Sequence, residues 1–573
     1  MHRPFPSDII NSRKNFLIAI KPVAQEEDMS WKKEAIGYQI YPRSFMDMNG
    51  DGIGDIKGIM SKLDYLKDLG VDVIWICPMY QSPNDDNGYD ISDYKAIMKE
   101  FGTMEELDEL LNEVHKRDMK LIMDLVINHT SDEHPWFIES RASKDSKKRD
   151  WYIWREGKEG KEPNNWESIF HGSAWEYDDT TDEYFLHLFS KRQPDLNWEN
   201  KEVRQALFEM VNWWLDKGID GFRVDAISHI KKEPGLKDMP NPDNLQYVSS
   251  FDKHMNVEGI HEFLGELKEN TFAKYDILTV GEANGVSAED AHLWVGDTNG
   301  KFDMVFQFEH LDLWDQEEEE KLDILALKKV LSKWQDALYG KGWNALFIEN
   351  HDITRVVSKW GDDENYWAES SKALAMMYFM QQGTPFIYQG QEIGMTNVHY
   401  KTIDCYNDVA THNRYFKHIQ AGMNEEEALR HEWHASRDNA RTPMQWDASA
   451  NGGFTKGKPW LEMNPNYEQI NVAAQLKDED SILNFYKSLI KLRKSYKTFI
   501  NGKCTLVDEM NPQVYAYTRK DEEGEFLIIC NLTKREAVTK EVPEEAQLIL
   551  NNYKEVSEEL VLRPYEARLY KLR

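Results

Sequence analysis

Apolar runs of strand length alternate with amphipathic stretches of helical length along most of the chain. The apolar runs predict eight strands, at residues 35–41, 71–76, 120–127, 221–224, 277–280, 302–306, 345–348 and 384–388. Amphipathic stretches such as 56–68, 104–116, 201–217 and 367–380 predict helices between the strands. Strands that alternate with helices pair in parallel through right-handed crossovers. Eight such units predict an α/β protein built on a closed (β/α)8 TIM barrel.

Two long segments interrupt the alternation. Residues 131–194, rich in Trp, Asn, Lys and Glu, are too long for a loop after the third strand and predict an inserted domain. Residues from about 394 to 460 form a second insertion, which contains the segment SRDNARTPMQW. The barrel domain itself is assigned to residues 29–130 and 195–501.

The two ends of the chain differ from the barrel in pattern. After a last helix at 480–495, strand-like runs such as 514–518 and 525–532 predict a separate antiparallel β domain over residues 502–573. At the other end, residues 1–28 precede the first predicted strand and are expected to be a disordered extension.

The composition of the chain limits the kinds of molecule that it is expected to bind. A formal charge of −32 at pH 7 argues against nucleic acids and anionic membranes, because both reward basic surfaces. No apolar run approaches the ~18 residues that a membrane helix needs. The four cysteines contain no CxxC pair, and three of them lie in apolar runs, which predicts reduced thiols and a cytoplasmic location. A small neutral substrate fits these observations.

The fourth predicted strand carries charge where an apolar core would not. In GFRVDAIS, residues 221–228, Arg223 and Asp225 lie two apart and therefore on one face of the strand. A structural ion pair at the strand end is one interpretation. The other is a guanidinium that keeps a nucleophilic carboxylate ionised and aimed.

Several other predicted strands also end in polar residues. The third ends with Asp124, Asn128 and His129, the fifth with Glu282, and the seventh with His351 and Asp352. The carboxyl ends of barrel strands share one face, so Asp225, Glu282 and Asp352 must converge there. Because three carboxylates repel each other, a purely structural role explains them poorly.

Retaining cleavage of a glycosidic bond needs such a set of carboxylates. One carboxylate attacks the anomeric carbon and a protonated second one gives its proton to the leaving oxygen. A third can steady the positively charged transition state. Metal-dependent hydrolysis is the competing use of clustered Asp and His, and it is weaker because the histidines lack HxH or HExxH spacing.

These strand-end motifs resemble the conserved regions of glycoside hydrolase family 13, the α-amylase family. QPDLN, residues 193–197, is similar to the segment that marks its oligo-1,6-glucosidase and α-glucosidase subfamily. The resemblance runs from about residue 31 to the C-terminus. It implies that Asp225 is the nucleophile, Glu282 the acid/base and Asp352 the transition-state stabiliser. It also implies that three residues surround the −1 sugar: Arg223, His129 and His351.

The α-glucosidase branch of the family implies further binding residues. Asp86 and Tyr89 match a carboxylate that grips the non-reducing-end hydroxyls and a stacking ring, and Arg437 matches the arginine that pairs with the carboxylate. The pocket lining is implied to include Phe170, Phe189 and Gln193. An Asp–Arg pair at the far end of the sugar would block further units and make the enzyme exo-acting.

The loop DMNGDGIGD after the first predicted strand has the pattern of a hard-cation site. Its side chains Asp47, Asn49, Asp51 and Asp55 follow at near-alternating spacing, but Gly58 stands where an EF-hand has glutamate. An acidic surface turn is the alternative. The family resemblance implies structural Ca2+ bound by these side chains and the carbonyl of Ile53, with Mg2+ as a possible substitute.

The residue after the nucleophile, Ala226, bears on the glycosidic linkage. In the resembling subfamily, valine at this position goes with α-1,6 cleavage, whereas alanine or threonine goes with α-1,4. The resemblance is therefore to a bacterial exo-α-1,4-glucosidase that releases glucose from maltose and short malto-oligosaccharides. The alternatives are an oligo-1,6-glucosidase, a sucrose isomerase, a trehalose-6-phosphate hydrolase and a non-catalytic transporter-associated homologue.

Overall fold

Eight parallel strands form one sheet, as the sequence predicts. They are β1 (Gly37–Ile40), β2 (Val73–Ile76), β3 (Lys120–Val126), β4 (Gly221–Asp225), β5 (Leu278–Glu282), β6 (Met304–Phe306), β7 (Ala345–Leu346) and β8 (Thr384–Tyr388). Their order in the sheet is β6-β5-β4-β3-β2-β1-β8-β7. A parallel bridge between Val305 of β6 and Asn344, next to β7, joins the two ends of the sheet. The predicted (β/α)8 barrel is confirmed.

The computed structural model describes residues 31–296, 299–315, 322–540, 542–555 and 560–573. The predicted extension over residues 1–28 lies outside the described residues. No helix in the described ranges combines the length and the apolar character needed to cross a bilayer.

Helices follow the strands around the barrel. They are Ile56–Ser61 and Leu63–Leu69, Met104–His115, Lys201–Asp216, Ile260–Asn270, Ala291–Val295, Ile324–Leu338, Val356–Lys359 and Trp367–Phe379, and Ile482–Ser495. The predicted helix at 56–68 is thus two helices, which meet at Lys62. Side chains such as those of Asp55, Thr103 and Ser481 begin helices by accepting a backbone N–H.

Each barrel strand packs on both faces. Val73 and Trp75 of β2 join an apolar cluster with inward residues of other strands, whereas Ile74 and Ile76 join the cluster that includes the helices. Both faces are therefore apolar, which explains why the strands read as continuous hydrophobic runs. The polar residues that follow the strands lie at the carboxyl end of the barrel.

The register of β4 against its neighbours sets the positions of the charged strand-end residues. Val224 is paired with Gly281, so Asp225 lies level with Glu282, and Arg223 is paired with Asp124 of β3. Gly221 begins β4 with a φ of 139°, and a Cβ there would lie 1.9 Å from the Leu278 carbonyl oxygen. Glycine permits the close approach of β4 to β5 that this register requires.

Smaller elements lie in the long connections. Between β3 and β4, a three-stranded antiparallel sheet contains Trp154–Arg155, Trp175–Asp178 and Glu183–Leu186, and the helix Pro135–Arg141 precedes it. Two-stranded pairs join Tyr80–Gln81 with Asp93–Ile97 and Trp166–Glu167 with Val248–Ser249. After β8 come α1 (Val409–Gln420), α2 (Glu425–Ala435) and the short helices Asp438–Arg441 and Val472–Gln475. The remaining described helices are Trp31–Glu34 and Thr498–Asn501.

The C-terminal part of the chain is a five-stranded antiparallel sheet. Its strands are, in sheet order, Lys503–Val507, Val514–Lys520, Glu525–Asn531, Ala567–Lys571 and Gln547–Asn551. A pair of short strands, Ala537–Val538 and Val561–Leu562, lies beside it. The sheet packs on the barrel helix Trp367–Phe379, so it covers one side of the barrel.

Candidate active site

One buried guanidinium lies at the centre of the site. Arg223 donates through Nη1 to Asp124 at 2.8 Å and to Asp225 at 2.6 Å, and its Nη2 lies 2.9 Å from Glu282 Oε1. Its positive charge also lies 5.2 Å from the centre of the Trp75 ring. Asp124, Asp225 and Glu282 come from three adjacent strands, so the barrel brings them to one cation. The predicted convergence of Asp225 and Glu282 is present in the structure.

Asp124 is held on every side by protein donors. Its Oδ1 accepts from Arg223, and its Oδ2 accepts from Trp75 Nε1 and from the hydroxyl of Tyr89, each at 3.0 Å. It is fully buried. A carboxylate with both oxygens occupied in this way orients Arg223.

Asp225 and Glu282 titrate as a pair. Burial raises the pKa of Asp225 well above its usual range; the Arg223 charge opposes this rise and the Glu282 charge adds to it. Burial likewise raises the pKa of Glu282, against the pull of Arg223, and the Asp352 charge raises it further. Two carboxyl groups in such surroundings resist simultaneous ionisation, so the pair holds a proton more firmly than free carboxyl groups do.

Asp352 differs from this pair because cations surround it. Its Oδ2 lies 3.0 Å from His351 Nε2, and its Oδ1 accepts from Arg441 at 2.9 Å and Arg437 at 3.1 Å. Burial alone would raise the pKa of Asp352, but these charges hold it well below its usual range. Asp352 is therefore ionised at neutral pH.

His351 is the partner that keeps Asp352 charged. Burial alone would lower its pKa, but the nearby Asp352 raises the pKa of His351 to about 10. The ring stacks on Tyr89 with 5.3 Å between ring centres, and the Tyr89 hydroxyl lies 2.6 Å from Nε2. His351 and Tyr89 thus connect Asp352 with Asp124 through a chain of polar contacts.

Arg437 is a second cation of the site, and it contacts three carboxylates. It donates to Asp86 and to Asp408, each at 3.0 Å, as well as to Asp352. Its charge lies 4.8 Å from the centre of the Phe170 ring. The Asp86–Arg437 ion pair that the family resemblance implies is therefore formed.

The remaining predicted binding residues join the Asp86–Arg437 pair through Gln193 and Phe170. Gln193 donates from Nε2 to Asp86 at 3.1 Å and lies 3.2 Å from His129 Nε2. Phe189 packs against His129 at 5.1 Å and against Phe170 at 5.6 Å between ring centres. Burial lowers the pKa of His129 to about 4, so its ring is neutral and can offer a hydrogen bond without carrying charge.

Ala226 has a backbone conformation that the sequence does not reveal. Its φ of 45° and ψ of 29° are left-handed, and its N–H donates to Glu282 Oε2 at 2.6 Å. This turn directs the chain away from β4 directly after Asp225. A β-branched residue here would carry strain of about 1–3 kcal/mol.

The Asp47–Asp55 loop buries the side chains of Asp47 and Asp55 and leaves Asp51 exposed. Asp47 accepts the N–H groups of Gly50 at 2.6 Å and Gly52 at 2.8 Å, and Asp55 accepts those of Met48 and Asn49 at 3.0 and 3.1 Å. The carboxylates of Asp47 and Asp55 thus accept backbone N–H groups of their own loop, and carboxylate oxygens are ligands that suit Ca2+.

The EF-hand comparison fails at a defined place in this loop. A Cβ on Gly58 would lie 1.8 Å from the Met46 carbonyl oxygen, so the glutamate of an EF-hand has no room. Asp51 and Asn49 complete the loop by accepting the N–H groups of Ile53 and Asp51, each at 2.9 Å. Any ion here has to use the side chains before Gly58 and the Ile53 carbonyl.

Three residues of the cluster are absent from the predicted site. Asp124 was visible as a strand-end carboxylate, but its contact with Arg223 depends on the register between β3 and β4. Asp408 and Arg441 both lie in the second insertion, where no strand pattern predicts their position. The available signal was the spacing RDNAR, which puts Arg441 one helical turn after Arg437.

Comparison with known proteins gives matches over nearly the whole chain. The α-amylase catalytic domain family matches residues 39–502. A probable oligo-1,6-glucosidase of Bacillus subtilis (strain 168) is 59% identical over 549 residues, which are 94% of this chain and 99% of that protein. An oligo-1,6-glucosidase of Bacillus cereus is 54% identical and covers 95% of this chain and 100% of its own length. The solved structure of a Bacillus licheniformis trehalose-6-phosphate hydrolase has a TM-score of 0.88 at 43% identity and covers 95% of this chain and 100% of its own.

Proposed function

The chain belongs to the α-amylase family of glycoside hydrolases, and from this we propose that it is a retaining, exo-acting oligo-1,6-glucosidase. Its substrates would be short α-1,6-linked gluco-oligosaccharides, from which it releases glucose at the non-reducing end. The observation that carries the chemistry is the cluster around Arg223, where one buried cation holds Asp225 and Glu282 side by side.

The proposed mechanism has two displacements. The Asp225 carboxylate attacks the anomeric carbon and forms a glycosyl ester, while Glu282 gives its proton to the departing oxygen. Glu282 then takes a proton from water, and this water cleaves the ester and restores Asp225. The raised pKa of Glu282 supports its role as the acid, and Arg223 supports the ionised form of Asp225 during attack.

Asp352 and Arg437 have separate roles in this proposal. Asp352 is kept ionised by three cations, so it can bind sugar hydroxyls and stabilise the positive charge that develops on the ring. Arg437 and Asp86 close the pocket, which supports removal of one terminal unit at a time. The aromatic wall of Phe170 and Phe189 provides apolar faces for the same sugar.

The linkage prediction from Ala226 favoured α-1,4 cleavage, and the comparisons favour α-1,6 cleavage instead. Relatives named oligo-1,6-glucosidase match over almost their full length. A single small side chain at the entrance changes specificity by only ~1–3 kcal/mol, or roughly 10–200-fold, so other residues around the leaving group can outweigh it. Cleavage of α-1,4 links remains the second candidate, and Ala226 is the observation that favours it.

Initial rates on isomaltose, maltose, sucrose and trehalose 6-phosphate test the proposal. We expect the highest kcat/KM on isomaltose, with glucose as the product. A preference for maltose would return the assignment to α-1,4 cleavage. Isomerised products from sucrose, or a preference for trehalose 6-phosphate, would overturn both candidates.

A matched pair of substitutions tests whether Ala226 acts on linkage at all. Ala226→Val and Ala226→Thr add side chains of equal shape and equal backbone strain at the left-handed position. Because both lose similar stability, their difference reports polarity at the entrance. We expect Ala226→Val to raise the isomaltose-to-maltose ratio of kcat/KM above that of Ala226→Thr. Equal ratios would remove Ala226 from the specificity argument.

We also propose that the Asp47–Asp55 loop holds a structural Ca2+ ion. The side chains of Asp47, Asn49, Asp51 and Asp55, with the Ile53 carbonyl, form the donor set that supports this. A bound ion would supply charge neutralisation to the loop and no part of the bond cleavage. Mg2+ is the smaller alternative for the same oxygens.

A further inference from the structure

Two histidines and a glutamate meet in the helical hairpin formed by α1 and α2. His418 lies near the end of α1, and His431 and Glu432 lie in α2. One possible ligand atom from each residue lies within 4.8 Å of the other two. The two imidazole rings are 4.5 Å apart between centres and almost perpendicular, at 74°. We propose that this cluster binds a divalent transition-metal ion of the zinc class.

The donor set favours zinc over the hard cations. Imidazole nitrogen and carboxylate oxygen are ligands that Zn2+ accepts in a four-coordinate site, with water in the remaining position. His418 and His431 are only half-buried, so an ion can enter from solvent, whereas Glu432 is fully buried. The cluster therefore combines a buried carboxylate with two half-buried imidazoles.

Arg414 holds the carboxylate of Glu432 in a fixed orientation. The Nε of Arg414 lies 3.1 Å from each carboxylate oxygen of Glu432, and its Nη2 makes a further contact with Oε2. Carboxylates that bind metals are commonly held in place by such outer hydrogen bonds. Arg414 alone would explain why Glu432 is buried, but it does not explain why both histidines face the same carboxylate.

His431 is the residue that an ion would satisfy. Its Nδ1 is inaccessible to water and has no hydrogen-bond partner among the described residues, and Glu432 Oε1 lies 3.9 Å away. A bound ion would give this nitrogen a partner.

An ion at this position would cross-link the two helices that carry part of the candidate active site. Asp408 is the residue that begins α1, and Arg437 follows α2 by two residues. These two side chains are joined at 3.0 Å. A metal clip between α1 and α2 would therefore fix the hairpin on which the Arg437 ion pairs depend.

Titration of the full-length protein with Co2+ tests the site by a readout that does not depend on catalysis. Co2+ gives strong visible absorption in four-coordinate nitrogen and oxygen sites and weak absorption in water. The titration is run with Ca2+ in excess, so that the Asp47–Asp55 loop is blocked to Co2+. We expect one strongly absorbing equivalent, which Zn2+ displaces.

Substitution of each histidine locates the ion. His418→Gln and His431→Gln should each weaken Co2+ binding by at least about tenfold, since loss of an outer partner alone costs that much. His434→Gln is the matched control, because His434 is exposed on the same helix α2 outside the cluster. Zn2+ should raise the Tm of the wild type and the control more than that of the other two.

Three outcomes would overturn the proposal. The first is that the wild type gives no strong Co2+ absorption. The second is that His418→Gln and His431→Gln bind Co2+ as tightly as the wild type. The third is that His434→Gln weakens binding as much as they do. None of these results bears on glycosidase activity, so they leave the proposed reaction untouched.

Discussion

At the scale of single residues, the site is organised by two arginines with different surroundings. Arg223 is shared among Asp124, Asp225 and Glu282, and burial there raises the pKa of the two reacting carboxyl groups. Arg437, with Arg441 and His351, lowers the pKa of Asp352. Glu282 can therefore hold a proton at a pH where Asp352 is ionised.

The raised pKa of Glu282 predicts the alkaline side of the pH profile. Glu282 must be protonated to act as the acid, so activity is lost as pH rises through its raised pKa in the folded enzyme. We expect kcat/KM for isomaltose to fall on the alkaline side with an apparent pKa above the ~4.3 of a free glutamate.

Glu282→Gln separates this acid role from a structural one. The change should lower kcat/KM for isomaltose by about 10²–10⁴-fold. It should slow the first step on α-glucosyl fluoride far less, because fluoride leaves without a proton. If the variant loses activity on both substrates by the same factor, Glu282 is not the general acid.

At the scale of elements, the barrel strands could be predicted from the sequence, but the positions of site residues in the second insertion could not. Every one of the eight strands was predicted to within a few residues, because strands buried on both faces leave a continuous apolar run that ends in polar residues. The positions of Asp225 and Glu282 follow from the strands themselves. Asp408 and Arg441 lie in helical segments whose placement depends on contacts with Asp352 and Arg437, and no periodicity encodes such contacts.

The left-handed backbone conformation of Ala226 could not be predicted from the sequence either. Alanine rarely adopts a left-handed conformation, so nothing in GFRVDAIS indicates that the chain turns there. The conformation follows from the hydrogen bond between the Ala226 N–H and Glu282, which is a tertiary contact. The identity of the side chain predicted α-1,4 cleavage, whereas the strain on larger residues became visible only in the structure.

The Asp47–Asp55 loop is the element whose stability should depend on calcium. Asp51 is exposed, and its Oδ1 accepts the Ile53 N–H, so Asp51→Asn keeps that bond and removes one anionic ligand. Asp93→Asn is the control, because exposed Asp93 accepts the Lys95 N–H in the same way. At free Ca2+ about 100 times Kd, binding stabilises the folded state by about 2.7 kcal/mol.

Thermal unfolding with EDTA and with Ca2+ gives the measurement. We expect Ca2+ to raise the Tm of the wild type and of Asp93→Asn, and to raise that of Asp51→Asn much less. Initial rates at low temperature should change little with EDTA. A Tm that is insensitive to chelation and to added Ca2+ in the wild type would make the loop an acidic turn.

At the scale of the whole molecule, the C-terminal sheet is fastened to the barrel by buried polar contacts. Arg519 is fully buried and donates to the Met380 carbonyl at 2.6 Å and to the Gly502 carbonyl at 2.8 Å. The Tyr517 hydroxyl donates to the Met377 carbonyl at 2.9 Å. The contacts with Met377 and Met380 join the sheet to the end of the helix Trp367–Phe379.

Arg519→Met should therefore lower stability and leave catalysis intact. The change leaves buried carbonyl groups without donors, at about 1–3 kcal/mol, which corresponds to a Tm lower by roughly 1–3 °C in a chain of this size. Lys520→Met is the control on the same strand, because Lys520 is exposed and pairs with Glu525 at the surface. Differential scanning fluorimetry gives the Tm, and kcat/KM on isomaltose should match the wild type. A large fall in kcat/KM for Arg519→Met alone would show that the sheet shapes the active site.

The most direct test of the proposed mechanism is to trap the glycosyl ester on Asp225. A 5-fluoro-α-glucosyl fluoride donates its sugar quickly and releases it slowly, so the ester accumulates and peptide mass spectrometry locates it. We predict one added fluoroglucosyl group, on the peptide that contains Asp225, and none in Asp225→Asn, whose amide cannot form the ester. Labelling of any other residue, or efficient hydrolysis of isomaltose by Asp225→Asn, would contradict the mechanism.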